Sequence, residues 1–511
     1  MVDRWAAELP DQTVIVDYDG VTYTFDELRT ASAKAADCLK TLGVQGGDRI
    51  ALVAENSFSA ICFVLASSRL DCWVVPVNAR MSAHELDRVR SHAMPSATVF
   101  THIVSPEAAK HADDCSAIEA TGSFGSVRIE ASLGQDREEC HADADRQVAV
   151  LFYTTGTTGD PKGVMLTHAN VTNAGRLSAE VRGCARHDKL LCAIPMTHVF
   201  GFVSVIMAAL SAGATMQLMD RFDEAATLAA LADGVSYFPA VPMMHARIIE
   251  YARHRGISRV DAPALKYVSA GGAPLDLDWK QSAEEFYGLT LNNGYGITET
   301  AAGVATTLPG SPVSDTAVGP VFPGHEVRIV PAGGATTEPD GDIGEIWIRG
   351  PNVMKGYYKA PMETAAALDS EGFFHTGDLG RVAPDGTIEV AGRIKELIIR
   401  SGFNVYPPEV ETALTTHRDV LIAAVIGHRQ SDGNEAVLAF IEPVPGADIC
   451  ETEIKEHVRN LIAPYKVPTH VFTACDMPRA ATGKILKSLL AEMYADRIAV
   501  RMEPLHGAAS D

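Results

Sequence analysis

Apolar residues in the first 300 positions fall into short blocks separated by amphipathic stretches. Runs rich in β-branched and aromatic residues lie at 148–153, 189–195, 214–219, 235–240 and 265–272. Most of them lead into segments with helical periodicity, such as DLDWKQSAEEFYG at 276–288. This alternation is typical of parallel sheets covered by helices on both faces. Residues 49–78 show the same order of strand, helix and strand, which predicts a second α/β unit.

The pattern changes after Thr307, where short strands alternate with Gly/Pro turns, as in FPGHEVRIVPAGG and GDIGEIWIRGP. These turns predict a small antiparallel barrel or sheet. From Arg393 onward, strands at 420–427 and 435–442 and a helix at 451–462 predict a compact module. We therefore expect an α/β protein in which residues 1–392 form a large body of two α/β sheet subdomains and a β-barrel-like subdomain. Residues 393–511 are expected to form a small α+β C-terminal domain.

Two segments need a separate interpretation. Residues 199–219, VFGFVSVIMAALSAGATMQLM, are the most apolar stretch, but small and polar residues interrupt it. We predict a buried helix that runs into a buried strand rather than a membrane span. Residues 111–147 are polar and acidic, and their Cys and His residues lack paired spacing. We predict a connecting segment there rather than a metal site.

Charge and cysteine content narrow the class of function. The chain has 511 residues with 65 acidic against 43 basic side chains, a formal net charge of -22. Such a surface repels nucleic acid and anionic membranes, so we expect neither as a partner. Nine cysteines occur without any C-x-x-C pair, and neither end carries a recognisable targeting or lipidation signal. These features predict a cytoplasmic, reduced protein.

One loop is a candidate site for an anion. The sequence YTTGTTGDPKG begins at the end of the strand predicted at 148–153, but it is not a P-loop. Counting from Gly156, Pro161 takes the place of the second glycine, and Gly163 follows Lys162 where Ser or Thr is needed. Gly156 and Gly159 allow tight turns that bring backbone N–H groups together, and Lys162 adds a charge. By itself such a loop is also compatible with an ordinary turn.

Six motifs, taken together, resemble those of the adenylate-forming (AMP-binding) superfamily, specifically its acyl-CoA and aryl-CoA ligases. They are YTTGTTGDPKG, PMTHVFG (195–201), NNGYGITET (292–300), TGDLG (376–380), GRIKELIIRSGFNVYPPEVE (392–411) and PRAATGK (478–484). The resemblance, to 4-coumarate-CoA ligases and fatty acyl-CoA synthetases, implies an ATP-dependent acid–thiol ligase. Such an enzyme forms acyl-AMP, releases pyrophosphate and passes the acyl group to CoA, and it uses ATP, Mg²⁺ and CoA. Because both reactants of the first step are anions, the site must supply positive charge and orientation.

The resemblance also implies roles for individual residues. Tyr295 is expected to lie against adenine, Thr298 to contact the α-phosphate, and Asp378 to accept both ribose hydroxyls. Mg²⁺ is expected at Glu299, with Thr154 as a further metal ligand. The complete set implied for ATP is Thr154, Thr155, Gly156, Thr157, Thr158, Gly159, Lys162, Asn293, Gly294, Tyr295, Gly296, Thr298, Asp378, Arg393 and Lys484.

Further implied roles fall on the C-terminal domain, which the resemblance makes mobile. Lys395 is the implied hinge about which this domain turns between the two half-reactions, and Gly402 and Phe403 are the implied CoA contacts. Lys484 is implied to bridge the attacking carboxylate and the α-phosphate. The implied catalytic residues are Lys484, Thr298, Glu299 and His198.

The class of carboxylic acid substrate is predicted from residues in and around PMTHVFG, SYFPAVPMMH and SAGGAP. The expected acyl pocket comprises His198, Phe238, Ala240, Val241, Met244, Ala270, Gly271 and Gly272. Its apolar lining favours an aryl or medium-chain acid over acetate or a dicarboxylate. Amino-acid-activating relatives place an aspartate in the region that reads HVFGF here, so an amine-bearing substrate is disfavoured.

Two alternatives share these motifs. A ligase that loads the phosphopantetheine thiol of a carrier protein has the same ATP motifs, and a non-catalytic acyl or nucleotide sensor is the third interpretation. The presence of Glu299, Lys162 and Lys484 argues against the sensor. The spacing of Pro478, Gly483 and Lys484 resembles the pattern that lysine acetyltransferases recognise in related ligases, which predicts such an enzyme as a partner. A homodimer is compatible with the sequence, which does not fix the oligomeric state.

Overall fold

The computed structural model describes residues 1–133, 136–154, 162–311, 313, 315–331, 343–400, 403–430, 434–479 and 485–502. Two eight-stranded sheets, a five-stranded sheet and a small C-terminal unit make up this part of the chain. The first 131 residues contain α1 (Val2–Glu8), β1 (Thr13–Val16), β2 (Thr22–Thr24), α2 (Phe25–Thr41), β3 (Arg49–Ala54), α3 (Phe58–Arg69), β4 (Trp73–Asn78), α4 (Ala83–Ala93), β5 (Ala97–Phe100), α5 (Pro106–Asp113), β6 (Ile118–Gly122) and β7 (Gly125–Ala131).

The middle of the chain carries most of the strands that later surround the cavity. Its elements are β8 (Val148–Thr154), β9 (Lys162–Thr167), α6 (His168–Arg182), β10 (Lys189–Cys192), a π-helical stretch (Phe200–Met207), α7 (Ala208–Ala212), β11 (Thr215–Leu218), α8 (Glu224–Ala232), β12 (Tyr237–Ala240), α9 (Pro242–Arg253), β13 (Tyr267–Gly271), α10 (Leu277–Tyr287), β14 (Leu291–Ile297), a 3₁₀ turn (Thr298–Thr300) and β15 (Ala302–Thr306).

Short strands dominate the region before the C-terminal unit: β16 (Gly319–Pro320), β17 (Glu326–Val330), β18 (Gly344–Arg349), β19 (Gly356–Tyr357), α11 (Pro361–Ala367), β20 (Phe374–Val382) and β21 (Thr387–Arg393). The C-terminal unit contains a 3₁₀ turn (Ile394–Glu396), β22 (Ile398–Arg400), β23 (Phe403–Val405), α12 (Pro407–Thr415), β24 (Val420–Arg429), β25 (Glu435–Pro443), α13 (Glu451–Arg459), a 3₁₀ turn (Pro464–Lys466), β26 (His470–Thr473), α14 (Lys487–Met493) and α15 (Ala495–Met502).

Both large sheets have parallel centres and antiparallel edges. The first sheet has the order β15-β14-β13-β12-β10-β11-β1-β2, in which the strands from β14 to β1 are parallel. The second has the order β19-β9-β8-β4-β3-β5-β7-β6, with β8, β4, β3 and β5 parallel. The third sheet is antiparallel, in the order β16-β21-β20-β18-β17. The expected α/β class, with two α/β subdomains and a smaller β subdomain, is confirmed.

The side chain of Asn56 joins the two large sheets. Its amide donates to the carbonyls of Cys192 at 2.9 Å and Ile194 at 3.0 Å, and its oxygen accepts from the backbone N–H of Met196 at 2.6 Å. Asn56 is 1% exposed, so these bonds are shielded from competing water. They hold the segment after β10, which carries His198 of the predicted acyl pocket, in a fixed position relative to β3 of the second sheet.

Two interpretations of single segments can now be compared with the structure. The apolar stretch 199–219 forms a π-helical stretch, α7 and then β11, which confirms the prediction of a helix that runs into a strand. None of the described helices has the length and apolar character needed to cross a membrane. The prediction for 111–147 was wrong in its middle, because β6 and β7 form an antiparallel hairpin at the edge of the second sheet.

The predicted boundary near residue 392 falls at a change of structure. Strand β21 ends at Arg393, a 3₁₀ turn spans Ile394–Glu396, and β22 begins at Ile398. The two units also touch, since Thr415 donates to the Asp276 carboxylate at 2.9 Å. The division into residues 1–392 and 393–511 stays a prediction.

Candidate active site

A cavity of about 1870 Å³ lies at the carboxyl ends of β13 and β14. The first sheet contributes residues from Tyr267 to Gly272 and from Gly294 to Glu299 to its wall. Thr154 and Lys162 of the second sheet lie on another side, and residues after Arg393 close a third. The carboxyl ends of parallel strands are the usual place for ligands in open α/β sheets. The geometry therefore makes this cavity the candidate active site.

The predicted phosphate loop joins the two strands of a hairpin. Thr154 at the end of β8 pairs with Lys162 at the start of β9, so both ends of the loop are fixed by strand pairing. The Lys162 ammonium lies 5.0 Å from the centre of the Tyr357 ring. The loop residues Thr155, Gly156, Thr157, Thr158 and Gly159 lie outside the described residues.

Glu299 presents a buried carboxylate beside this hairpin. The Tyr357 hydroxyl donates to Glu299 Oε1 at 2.9 Å. Burial raises the pKa of Glu299 above its ordinary value, and the hydrogen bond from Tyr357 offsets part of this rise. No ion pair to Glu299 is present among the residues that the structure describes. A buried carboxylate that lacks a cationic partner is a hard oxygen ligand suited to Mg²⁺, and Thr154 lines the same cavity.

A second cluster forms around Asp378, which is 4% exposed. Tyr295 donates its hydroxyl to Asp378 Oδ2 at 2.6 Å, and Arg393 Nε lies 2.9 Å from Asp378 Oδ1. Burial and the Asp378 carboxylate together raise the pKa of Tyr295, which stays a neutral donor. Burial acts to lower the pKa of Arg393, but the combined attraction of Asp378, Glu396 and further acidic groups outweighs it, so that the pKa of Arg393 is raised. Three predicted ATP residues are thus in direct contact.

Strand β14 and the 3₁₀ turn that follows it carry four further predicted ATP residues. Gly294, Gly296 and Thr298 line the cavity, whereas Asn293 is buried and donates its amide to the Thr316 carbonyl at 2.6 Å. A Cβ atom on Gly296 would lie 1.6 Å from the Ala302 carbonyl oxygen, which only glycine avoids. The glycine in GYGITET therefore allows β15 to approach β14 closely beside the cavity.

The predicted acyl pocket divides into two groups. His198, Ala270, Gly271 and Gly272 line the cavity. Phe238, Ala240, Val241 and Met244 are instead buried in a separate closed core with Ile248 and Leu291. Successive side chains of a strand point to opposite faces, so on β12 Phe238 and Ala240 face this core while Tyr237 and Pro239 face the other side. The cavity wall contains Phe200, Ser204, Tyr267, Phe322 and Arg182 instead.

These wall residues were not recognised from the sequence, although one signal was available. On β13, Tyr267, Ser269 and Gly271 alternate with Val268 and Ala270. This period of two assigns them to one face, and all three line the cavity. Ala270, from the opposite face, belongs to the closed core and reaches the cavity only near the end of the strand. Tyr357 and Arg182 had no comparable signal, because each comes from an element outside the recognised motifs.

The C-terminal unit supplies Lys395, Leu397, Val425 and Gly427 to the cavity wall. Phe403 is 55% exposed, lies away from this lining and stacks on Tyr465 with ring centres 4.7 Å apart. Gly402 and Lys484 lie outside the described residues. Arg479 and Ile485 are the described residues on either side of positions 480–484. They form a β-bridge with each other, and both line the cavity.

Comparisons with known proteins show the family to which the chain belongs. Residues 2–358 match the family model described as AMP-binding enzyme, and residues 409–484 match the model of the AMP-binding enzyme C-terminal domain. A 4-coumarate-CoA ligase 3 of Oryza sativa subsp. japonica is 32% identical, over 96% of this chain and 91% of that protein. A feruloyl-CoA synthase of Amycolatopsis sp is 33% identical, over 94% of this chain and 96% of that protein.

A solved structure shows the same fold over nearly the full length. The crystal structure of ATP-bound MatB from Rhodopseudomonas palustris superposes with a TM-score of 0.85 at 30% identity, over 97% of this chain and 99% of that chain. The chain therefore belongs to the AMP-binding enzyme family. Within it, the chain is an AMP-forming acyl-CoA ligase, which activates a carboxylic acid as acyl-AMP with ATP and transfers the acyl group to CoA. The resemblance inferred from the motifs is confirmed.

Proposed function

We propose that the enzyme activates an aryl or medium-chain carboxylic acid, with Mg²⁺ held at Glu299 and Thr154. The observation that carries this proposal is the shared cavity. Glu299, Lys162 and the residues around Asp378 meet there with His198, Phe200 and Gly271 of the acyl wall. An acid that enters between the aromatic rings of the wall brings its carboxylate toward the phosphate-binding side.

ATP is proposed to bind with its ribose at Asp378 and its phosphates between Lys162 and Thr298. The two ribose hydroxyls would share the Asp378 oxygens with Tyr295 and Arg393, since both oxygens already accept from these residues. Bound Mg²⁺ would neutralise negative charge on the phosphates. Lys162 then adds positive charge from the opposite strand of the hairpin, which favours departure of pyrophosphate.

Lys484 is proposed as the residue that bridges the acid and the α-phosphate. It follows Arg479 in a segment whose two flanks line the cavity. We expect Lys484→Ala to abolish formation of acyl-AMP while preserving thioester formation from supplied acyl-adenylate. Pyrophosphate release and thioester formation are measured separately. Equal loss of both half-reactions would contradict this role.

The function is tested by pyrophosphate release from ATP and Mg²⁺ across aryl, short, medium and long-chain acids, each with and without CoA. A burst that becomes steady turnover only with CoA supports the proposal and identifies the class of acid. Release that CoA never accelerates would favour transfer to a carrier protein instead. No release with any acid would contradict the enzymatic function.

Three further proposals concern the cell and the assembly. We propose a cytoplasmic location, acetylation of Lys484 by a lysine acetyltransferase, and a homodimer. Acetylation would remove the charge on which the first step depends. Mass spectrometry that finds only unmodified Lys484 in protein from stationary cells would contradict it, and light scattering of the purified enzyme tests the dimer.

A further inference from the structure

Arg182 is a charged residue in the wall of the acyl side of the cavity. It lines the cavity together with Ser204, Tyr267 and Ser269. These residues come from α6, the π-helical stretch and β13, whereas Glu299 follows β14 and Lys162 begins β9. A cation in this part of the wall has no role in binding the phosphates of ATP.

The backbone at Arg182 is held firmly. Helix α6 ends at Arg182, and the next residue, Gly183, takes a left-handed conformation with φ of 68°. The hydroxyl of Tyr237 donates to the carbonyls of Arg182 at 3.2 Å and Gly183 at 2.9 Å. The guanidinium therefore extends from a fixed point, which is the condition for selective recognition of a ligand.

The charge of Arg182 lacks a counter-ion within the part of the chain that the structure describes. Its Nη1 donates to the Ser204 carbonyl, and its guanidinium carbon lies 5.7 Å from the centre of the Tyr267 ring. Its Nε is buried and has no hydrogen-bond partner. Asp188, on the turn after α6, is already paired with Lys266 at 2.6 Å.

Tyr267 adds a second donor of the same kind. Tyr267 is 2% exposed, and its hydroxyl is also buried, with no hydrogen-bond partner among the residues that the structure describes. It is unusual for two neighbouring side chains each to carry a buried donor without an acceptor. The free energy lost when such a donor leaves water is not regained in a hydrogen bond. An acceptor that both can reach would remove this cost after a small rotation of the guanidinium.

The position of Tyr267 sets the distance from the reacting end of the acid. Tyr267 begins β13 and Gly271 ends it, so about 13 Å separates them along the strand. The residues that hold ATP lie beyond the carboxyl end of the strand, at the level of Gly271 and Gly294. The donors therefore face a part of the substrate far from its reacting carboxylate.

We infer that Arg182 and Tyr267 recognise a second carboxylate at the far end of the acid. The inference rests on the proposed function and makes its substrate a long acid with two carboxylates. It reverses the preference against a dicarboxylate that the sequence suggested, because that preference came from an apolar lining that did not include Arg182. A carboxylate supplies two acceptor oxygens and the missing negative charge, and it is the planar partner that a guanidinium binds best. An arginine at a helix end also stabilises the helix dipole, but that role requires neither a place in the cavity wall nor a buried Nε.

The test compares dicarboxylic acids with monocarboxylic acids of the same length in the pyrophosphate-release assay with CoA. For chains long enough to reach Tyr267, we expect the KM of the diacid to lie roughly tenfold or more below that of the monoacid. Short diacids should show no advantage. The inference would be overturned if no diacid, whatever its length, were used better than its monoacid, while turnover of the monoacid would leave the proposed function intact.

Variants separate recognition from structural effects. Arg182→Met should remove the advantage of the diacid by raising the KM of the diacid far more than that of the monoacid, and Arg182→Lys should retain part of the advantage. Tyr267→Phe should raise the KM of the diacid without lowering the melting temperature, since its hydroxyl has no partner to lose. Arg176→Met is the control, because Arg176 lies on the same helix, is 52% exposed and pairs with Glu180.

Two outcomes of this series would contradict the inference. One is an equal rise in the KM of diacid and monoacid in Arg182→Met, which would make Arg182 a structural residue. The other is an unchanged preference for the diacid in folded Tyr267→Phe and Arg182→Met. A melting curve of each variant, recorded before the kinetics, shows that the compared proteins are folded.

Discussion

The Glu299 carboxylate is buried, and no cationic side chain is paired with it among the described residues. A buried carboxylate that receives hydrogen bonds from Tyr357 and from its own backbone, with no cation paired to it among the described residues, is costly unless a cation joins it. Burial favours the protonated form of this carboxyl, and the pKa of Glu299 is therefore raised. Because a protonated carboxyl does not bind Mg²⁺, the affinity for Mg²⁺ should fall on acidification sooner than at an ordinary glutamate.

Glu299→Gln removes the charge and keeps the shape of the side chain. We expect pyrophosphate release to fall about 100-fold and the Mg²⁺ concentration needed for half-maximal rate to rise, because one preorganised charged group is lost. Initial rates over a Mg²⁺ titration at several pH values measure both effects. Glu285→Gln, which changes an exposed glutamate on α10 that does not line the cavity, is the control. A Mg²⁺ dependence equal to that of the wild type would exclude Glu299 as a metal ligand.

His245 should make stability depend on pH. It is 3% exposed, and its Nε2 faces the Ser269 carbonyl at 3.1 Å, so this nitrogen carries the proton and Nδ1 accepts from the Tyr287 hydroxyl. Burial lowers the pKa of His245 from 6.5 to about 4. Between these values the unfolded chain binds the proton and the folded chain does not, so stability falls as pH falls. The full loss, reached below pH 4, is about 3 kcal/mol.

This prediction is checked with His245→Gln. Urea unfolding curves between pH 7.5 and 5.5 should show a smaller loss of stability for the variant than for the wild type, by roughly 1 kcal/mol. His254→Gln, which changes an exposed histidine at the end of α9, should keep the slope of the wild type. An identical slope in His245→Gln and the wild type would show that His245 is not the titrating group.

Motif residues could be predicted from the sequence, and their partners could not. Asp378, Tyr295 and Arg393 were named separately from three motifs, and the structure brings them into one cluster. Tyr357 was missed because it reaches Glu299 through the pairing of β19 with β9, a contact between residues far apart in the chain. The acyl wall was predicted from apolar residues without regard to strand faces, so Phe238 was included and Arg182 was missed.

At the scale of elements, buried strands were predictable and exposed ones were not. Strands β10, β12 and β13 are almost entirely buried and read as short apolar runs. Strand β6 is exposed along nearly its whole length at the sheet edge, so it has no apolar run to reveal it. Strand β9 was not predicted, because its first residue, Lys162, belongs to the YTTGTTGDPKG motif. That motif was interpreted as a phosphate loop rather than as part of a β-hairpin.

Gly183, which follows α6 directly, tests how much the left-handed end of this helix contributes to stability. Gly183 has positive φ and nothing within 4 Å of the place where a Cβ would lie, so a substitution there meets conformational strain alone. We expect Gly183→Ala to lower the free energy of unfolding by about 1 kcal/mol, measured by urea titration. Gly183→Asn should lose less, because asparagine tolerates the left-handed region. A loss in Gly183→Asn as large as in Gly183→Ala would argue against this cause.

At the scale of the whole molecule, both units contribute to one cavity. Lys395 and Leu397 stand between them, in and just after the 3₁₀ turn that follows β21. The family resemblance predicts a hinge for domain rotation at this turn. No single motif could predict the cavity as a whole, because its walls depend on how the units pack.

Lys395→Pro tests the hinge. Proline fixes φ near −65°, so rotation about this position is blocked while the present arrangement is compatible with a 3₁₀ turn. We expect pyrophosphate release to persist and thioester production to fall at least about tenfold. Lys395→Ala, which leaves the backbone free, separates loss of the side chain from loss of rotation. Unaffected overall turnover in Lys395→Pro would place the hinge elsewhere.

The walls of the cavity come from two parts of the chain, and this has a consequence for how the enzyme resists degradation. A molecule that fills the cavity and touches both walls stabilises the docked arrangement by mass action. Saturation with ATP and acid should therefore protect the connection at residues 393–397 from a protease, and departure of the products should expose it. The lifetime of the enzyme would then follow the supply of its own substrates.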